Sequence, residues 1–458
     1  MKNSNKLKFI DLFAGLGGIR LGFEQACHER GINTECVMTS EIKPYAIETL
    51  KYNHHHENFV GDIFNVKNED IPQFDFLFGG FPCQPFSAGG KRQGFADTRG
   101  TLFFEIERIL RYHEPMGFIL ENVEGMVKHD LEHKKDKIGR TLKTILYKLE
   151  KELGYQVSYE VLDSVNFGVP QSRKRIFIVG TKNHKVSLQD FRPTFQVIKD
   201  VLEQGKPTLD TKFTQKLLAK YSIKNLHGKS IKDKRGGSNN IHSWDIGIKG
   251  ECSNQQIELL NKLFKERRKK HWAKEIGIDW MDGMPLTLKQ VETFAPANNL
   301  FSSYNLKELL DDLVQKGYLK FEYPKKLVVE ETPNGVIKSR VYDETKPKGY
   351  NIVTGKLSFE INKILDPNDI APTLVATDMS KIVVSDGNGL RTLTIREALR
   401  IFGYPENYNI PVKKRLAFDL LGNTVVVPVV KAVVERILDV IPLENPSQNV
   451  KKELKLIA

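Results

Sequence analysis

Between residues 7 and 180, short apolar runs alternate with amphipathic stretches, and that rhythm restricts the chain to a sheet flanked by helices. Phe9-Ile10-Asp11-Leu12-Phe13 reads as a strand, and the turn Ala14-Gly15-Leu16-Gly17-Gly18 leads into a helix from about Ile19 to Arg30. Glu35 to Thr39 is a second strand, ending at Ser40-Glu41. Pro44 to Tyr52 is a helix, with proline in the first turn, where its missing N–H costs nothing. Gly61-Asp62-Ile63 closes a third crossover. Phe74 to Phe78, Gly117 to Leu120 and Arg175 to Gly180 are further strands, and the helix Arg140 to Leu153 lies between the last two. The fold predicted is α/β, a doubly wound, mostly parallel sheet. Such sheets bind ligands at the carboxyl ends of their strands.

At one of those strand ends stands Gly79-Gly80-Phe81-Pro82-Cys83-Gln84-Pro85-Phe86-Ser87. A glycine-rich polar stretch, Ala88 to Arg99, reads as a mobile loop before a helix from Thr101 to Tyr112. A thiol so placed is a candidate nucleophile, although a cysteine is more often a buried, inert apolar residue. Glu121-Asn122-Val123 ends another strand at the same edge, where a carboxylate serves as a general acid or as a helix cap. In Gln171-Ser172-Arg173-Lys174-Arg175, strand alternation sends Arg173 and Arg175 to one face. Two guanidinium groups on one face suit a planar acceptor or a phosphate, or form a rim ion pair.

Several familiar motifs fail. After Gly15 and Gly17, the third position of a dinucleotide fingerprint is Arg20, which disfavours a nicotinamide cofactor. An adenosine cofactor without a pyrophosphate stays open, with Glu41 placed for a ribose and Asp62 for an adenine amino group. Gly90-Lys91-Arg92 lacks the Ser or Thr of a phosphate loop. His54-His55-His56 cannot share one helix face, so it reads as a solvated run. The four cysteines form no CxxC pair, so neither a zinc site nor a disulfide framework is expected. No signal peptide or apolar run of membrane-spanning length is read from the sequence, so the expected location is the cytoplasm.

From Phe191 the rhythm stops, and residues 191–280 carry 19 Lys and Arg against 10 Asp and Glu. Most of the net charge of +12 lies there, as on a nucleic-acid surface or a solvated lysine-rich face. Ser253-Asn254-Gln255-Gln256 is a capping box that opens a helix. Its far end carries Arg267, Arg268, Lys269 and Lys270, a run suited to a phosphate backbone. Two further helices (Thr287 to Phe294, Asn305 to Lys316), a strand and a hairpin then resemble a winged helix. Glu308, Asp311 and Asp312 on the last helix would repel phosphates, so that helix reads as scaffold. The expected domains are 1–190, 191–369 and a return over 370–445, with a tail at 446–458.

Taken in order, Asp11 to Gly18, Gly61-Asp62-Ile63, Gly80 to Ser87, Glu121-Asn122-Val123, Gln171 to Arg175 and Gly422-Asn423-Thr424-Val425-Val426-Val427-Pro428 resemble the DNA (cytosine-5) methyltransferases of bacterial restriction-modification systems. The resemblance covers about residues 7–180 and 370–440. It implies a Rossmann-like S-adenosylmethionine domain and makes residues 191–369 a smaller, mixed α/β target-recognition domain. It assigns catalysis to Cys83, Glu121, Arg173 and Arg175, with no metal. It places S-adenosylmethionine against Phe13, Ala14, Gly15, Leu16, Gly17, Gly18, Glu41, Ile42, Asp62, Ile63, Pro82, Asn423, Thr424 and Val425. Double-stranded DNA would meet Gln84, Ser87, Lys91 and Arg99 as well as the basic run. A functional partner would be the cognate restriction endonuclease; a monomer is the expected state. Ile42 stands where relatives often carry an aromatic residue, and Phe402 where Gln is usual. Two alternatives share these features: an RNA cytosine-5 methyltransferase and an inactive DNA-binding module. The transfer-RNA branch usually shows Cys-Phe-Thr, whereas Cys252 is followed by Ser253-Asn254.

Overall fold

A computed structural model describes residues 6–54, 58–81, 102–133, 135–233, 239–295, 303–332, 335–353 and 359–442. It divides into two compact units. The first holds Met1–Gln204, Asp366–Ser380 and Leu393–Ala458; the second holds Gly205–Leu365 and Lys381–Thr392.

The first unit is built on β1 (Leu7–Leu12), β2 (Thr34–Ser40), β3 (Phe59–Val60), β4 (Phe76–Gly79), β5 (Gly117–Val123), β6 (Gln156–Asp163) and β7 (Lys174–Thr181). Their spatial order is β3-β2-β1-β4-β5-β7-β6, and only β7 runs antiparallel to its neighbours. Chain order reverses beside β1, so the crevice at the carboxyl ends of β1 and β4 is the switch point where open sheets bind ligands. Four helices, α1 (Gly18–Glu29), α2 (Pro44–Asn53), α3 (Leu102–His113) and α4 (Arg140–Tyr147), supply crossovers. Ile10, Leu12, Leu77 and Leu120 face a core closed by Phe103 and Ile106 of α3. On the opposite face, Phe9 and Phe78 meet Phe23 of α1 at ring-centroid distances of 5.2 and 4.8 Å. Strand β6, absent from the sequence reading, is an edge strand rich in polar residues, which hides its apolar alternation.

The second unit begins with α5 (Lys212–Lys220), α6 (Ile223–Leu226), β8 (Ser230–Ile231) and β9 (Asn240–Ile241). Helices α7 (Asn254–Glu266), α8 (Lys270–Ile276), α9 (Leu288–Phe294) and α10 (Ser303–Gln315) follow. Next come β10 (Leu319–Glu322), β11 (Lys325–Thr332), β12 (Gly335–Tyr342), β13 (Gly349–Ile352), β14 (Lys363–Ile364), β15 (Ile382–Asp386) and β16 (Gly389–Thr392). The expected capping box forms at α7: Gln256 N–H donates to Ser253 Oγ at 3.2 Å, and Ser253 N–H to Gln256 Oε1 at 3.0 Å. Strands order as β16-β15-β14-β8-β9 over one core, while a second core gathers Leu260, Leu263, Val291, Leu310 and Leu313. In the region expected to resemble a winged helix, β10 pairs with β13, beyond the hairpin, and among the described residues β11 and β12 pair only with each other.

The chain then returns to the first unit as α11 (Ile395–Ile401), α12 (Lys414–Asn423) and α13 (Val427–Val440). α13 packs so closely on α1 that a Cβ on Gly22 would lie 2.7 Å from Val430. Unit boundaries fall at 204 and 366 rather than at 190 and 369. Ile198 N–H donates to Asp369 O at 3.0 Å and Glu203 N–H to Glu397 Oε1 at 2.8 Å, which fixes residues up to 204 to the first unit. Lys381–Thr392 pairs into the sheet of the second unit instead of joining the return. Lys414–Val440 is long and apolar enough to cross a membrane by composition, contrary to the sequence reading, but it is two helices with most of its length buried in the fold.

Candidate active site

The crevice is built first by the turn after β1. Phe13, Gly15 and Gly17 all adopt left-handed backbone, with φ of 58°, 55° and 65°. Phe13, a non-glycine residue in that region, carries strain of the kind that collects at functional sites. Gly18 has no room for a side chain, because a Cβ there would sit 2.7 Å from Val425 and 2.8 Å from the Tyr404 hydroxyl.

Glu41, at the end of β2, is nearly buried and grips this turn. Its Oε2 accepts from Gly15 N–H at 2.8 Å, and its Oε1 from the N–H groups of Ile42 and Lys43, each at 2.8 Å. Ile42 beside it is 68% exposed, an apolar wall left mostly open by the described residues. After β3, the exposed Asp62 accepts from Phe64 N–H at 3.1 Å, and Ile63 is buried. Phe13 and Gly15, Glu41, Ile42 and Asp62 thus stand at the ends of three adjacent strands. Leu16, Gly17 and Gly18 are buried behind them. The bare Ile42 surface, the glycine turn and the exposed carboxylate fit an adenosine-bearing group without a pyrophosphate.

Cys83, Pro82, Gln84, Ser87, Lys91 and Arg99 lie outside the described residues. The approach to Cys83 is described up to Phe81. Asn122 Nδ2 donates to Phe81 O at 3.2 Å, so the middle residue of Glu121-Asn122-Val123 holds the backbone two residues before the thiol. Glu121 Oε2 would lie 3.8 Å from a Cβ on Gly80. Glu121 Oε1 pairs with Arg175 Nε at 3.0 Å, and both side chains are largely buried. Burial pushes the Glu121 carboxyl above its ordinary value, while Arg175 and then Arg173 pull it back.

Arg173 does not share the position of Arg175. It is 3% exposed and runs into the first unit, where Nη1 donates to Leu374 O at 3.0 Å. Its Nη2 donates to Gly422 O at 3.1 Å and Thr424 O at 2.9 Å, with the guanidinium 5.4 Å from the Phe402 ring centroid. Phe402, the departure from the family pattern, is the shelf on which this arginine lies. The expected sharing of one strand face fails because Arg173 precedes β7, where alternation does not yet apply.

Thr424 Oγ1 and Tyr404 OH are 2.6 Å apart, and Val425 is buried against the glycine turn. Asn423 is exposed, and its Nδ2 donates to Asp419 O at 2.8 Å. Several residues that sequence reasoning missed complete the frame. Tyr408 OH donates to Leu16 O at 2.7 Å, tying the return to the turn. Arg108 on α3 donates to Val66 O at 2.9 Å and to Asn68 Oδ1, fixing the loop that follows Asp62-Ile63. Asp11, buried on β1, has an Oδ2 without a hydrogen-bond partner among the described residues, and burial raises its pKa to about 7. Gly403-Tyr404-Pro405-Glu406-Asn407-Tyr408 was the available signal for the tyrosines: two large residues bracketing a turn.

Arg267 is 4% exposed and lies inside the second unit, which corrects its expected place on DNA. Its Nη1 donates to Asn351 Oδ1, and burial lowers its pKa to about 10. α7 ends at Glu266, so the basic run is a turn rather than a helix end. Arg268 pairs with Asp282 at 3.2 Å, Lys269 pairs with Glu266 at 2.6 Å, and Lys270 opens α8 at the surface.

A doubly wound sheet with a gripped glycine turn at its switch point, and a buried carboxyl–guanidinium pair at the same sheet edge, is the frame of an α/β protein suited to an adenosine-bearing cofactor. Residues 7–439 match the model of the C-5 cytosine-specific DNA methylases. The Type II methyltransferase M.NlaIV of Neisseria lactamica is 55% identical over 94% of this chain and 99% of its own length. M.HgiCI of Herpetosiphon aurantiacus is 44% identical over 93% and 97%. The solved structure of the methyltransferase EhMeth of Entamoeba histolytica has a TM-score of 0.51 at 15% identity, covers 95% of this chain and 98% of that one, and shows the shared fold. The chain belongs to the C-5 cytosine-specific DNA methylase family. It is a DNA cytosine-5 methyltransferase, and its cofactor is S-adenosylmethionine.

Proposed function

We propose that the protein methylates C5 of a flipped-out cytosine within a specific duplex site and so protects host DNA from a cognate restriction endonuclease. It would act as a cytoplasmic monomer. The observation that carries this reading is the buried Glu121–Arg175 pair beside Gly80, three residues from Cys83.

Cytosine C5 is a weak nucleophile inside an aromatic ring. The Cys83 thiolate adds to C6, forming an S–C6 bond and leaving the electron pair on the C4–C5–N3 system. Glu121, whose pKa burial raises, would donate at N3 and hold that charge. Arg175, paired with Glu121, would hold O2. S-Adenosylmethionine, when bound, supplies the methyl group that the activated C5 takes up. The C5 proton then passes to water, its electron pair re-forms the C5–C6 double bond, and the S–C6 bond breaks to free Cys83 as its thiolate. The turn Phe13–Gly15, Glu41, Ile42 and Asp62 would orient the cofactor, and Arg173 keeps the return, with Thr424, in place. The base must leave the helix for its C6 to be reached.

DNA containing 5-fluorocytosine at the target should form a denaturation-resistant adduct with the wild type and none with Cys83→Ser. Bisulfite sequencing of DNA from cells producing the protein should show one protected sequence. An adduct with the serine variant would overturn the role of Cys83.

A further inference from the structure

The second unit orders its elements in a recognisable way. α7, the short helix α8, Leu286, α9, α10, β10, the β11–β12 hairpin and β13 follow one another along the chain. Leu286 bridges to Tyr350 of β13, and β13 pairs with β10, so β13 lies centrally. This is the sequence of a winged helix, with β11–β12 as the wing. The helix in the place of α10 ordinarily enters the major groove.

Here α10 is chemically unsuited to that task. Its exposed face carries Glu308 and Asp311. Asp311 is held by Lys307 at 2.6 Å and by the Tyr350 hydroxyl at 2.8 Å, and Asp312 by Lys316 at 2.6 Å. The one cation of α10, Lys307, is thus bound to the helix's own Asp311, and phosphates would meet the exposed Glu308.

The wing has the opposite character. Lys325, Leu327 and Val329 alternate onto one face of β11, and register sets Tyr342 opposite Lys325 and Arg340 opposite Leu327. Leu327, Val329 and Tyr342 are 40%, 52% and 49% exposed. Lys325 Nζ stands 4.9 Å from the Tyr342 ring centroid. At the base, Arg340 Nη2 reaches Trp280 O at 3.4 Å, and Lys270 lies 5.5 Å from the Trp280 ring centroid. Cations interleaved with apolar and aromatic groups on a ribbon joined by no third strand among the described residues match a major groove, which admits such a ribbon and offers phosphates at its rim and thymine methyls within.

Resting on the DNA methyltransferase reading, we infer that the β11–β12 wing, and not α10, reads the duplex, with Leu327, Val329 and Arg340 facing the major groove. The probes are a labelled duplex selected by binding from a random pool and a scrambled duplex of equal composition. Leu327→Ser with Val329→Ser should lower the affinity ratio of the two about tenfold. Arg340→Ala should lower that ratio or flatten the slope of log affinity against log salt by about 0.9. Glu308→Ala should change neither. Cofactor binding and the melting midpoint should match the wild type in every variant. If the serine pair fails to fold, excision of residues 325–342 replaces it, since Asp343 N–H already closes on Pro324 O at 2.8 Å. Wild-type ratio and slope in the wing variants, or a ratio moved by Glu308→Ala, would overturn the inference. Absence of methylated cytosine with an intact wing effect would instead sink the enzymatic reading and leave the wing standing.

Discussion

Two basic runs of this chain look alike on paper and behave alike in part. In Arg173-Lys174-Arg175 and in Arg267-Arg268-Lys269-Lys270, the first arginine is internal and the later residues face outward or serve a site. Arg173 holds three backbone carbonyls of the chain's return, while Arg267 holds Asn351 and Ile352 inside the second unit. The second arginine of each run meets a different kind of partner. Arg175 meets a buried carboxylate with raised pKa, whereas Arg268 meets the exposed Asp282. An ion pair in the crevice can tune chemistry; one at the surface contributes little. The lesson is that charge runs must be read one residue at a time.

The sharpest way to break this contrast is at Arg175 and its partner. Glu121→Gln should cost about 10²–10⁴-fold in kcat, the usual contribution of a positioned acid. Arg175→Ala should leave Glu121 buried without its nearest cation, raising its pKa further. The alkaline limb of the pH–rate profile should then move to higher pH, and an unmoved limb would mean that Glu121 is not the acid. Next in size is Arg173→Ala, which orphans three carbonyls and should cost about 3–5 kcal/mol in urea unfolding. Arg267→Ala should cost about 2–3 kcal/mol without altering the salt slope of DNA binding. A flattened slope at unchanged stability would put that arginine back on DNA.

Asp11 tests the same idea with a buried carboxyl whose Oδ2 has no hydrogen-bond partner among the described residues and which Arg20 stabilises only in part. Its folded pKa of about 7 lies above the ordinary carboxylate value, so its contribution favours the fold at acid pH and is lost as pH rises through 7. Asp11→Asn should therefore be more stable than wild type above pH 7, with the advantage shrinking towards pH 4, as thermal melts across that range would show. The smallest effect belongs to Arg268→Ala, within about 0.5 kcal/mol of wild-type stability.

Much of the first unit is legible in sequence because its strands are buried on both faces and its turns use glycine for backbone reasons. Glu41 and Glu121 are legible because carboxylates ending apolar strands have few other uses. Arg267 is not, since nothing local announces that α7 stops at Glu266 and turns the next residue inward, above Phe264. Nor is β6, whose Ser158, Glu160 and Gln156 dilute its alternation at a sheet edge. The tyrosine tie from Tyr408 to Leu16 spans 392 positions, and no spacing rule reaches that far.

That tie has a consequence for how the enzyme comes into being. During synthesis the glycine turn leaves the ribosome early, yet Gly18 and Leu16 find their partners only when Val425 and Tyr408 follow. At ribosomal speeds this interval is on the order of tens of seconds. Throughout it, Gly22 and the face of α1 on which α13 packs stay uncovered. A nascent chain that already contains Cys83, Glu121 and Arg175 still lacks the far wall of its cofactor crevice. Arrival of the segment from Tyr408 to Val425 is itself the step that assembles the site, and a chain cut short before Thr424 carries every reactive group without the means to use them.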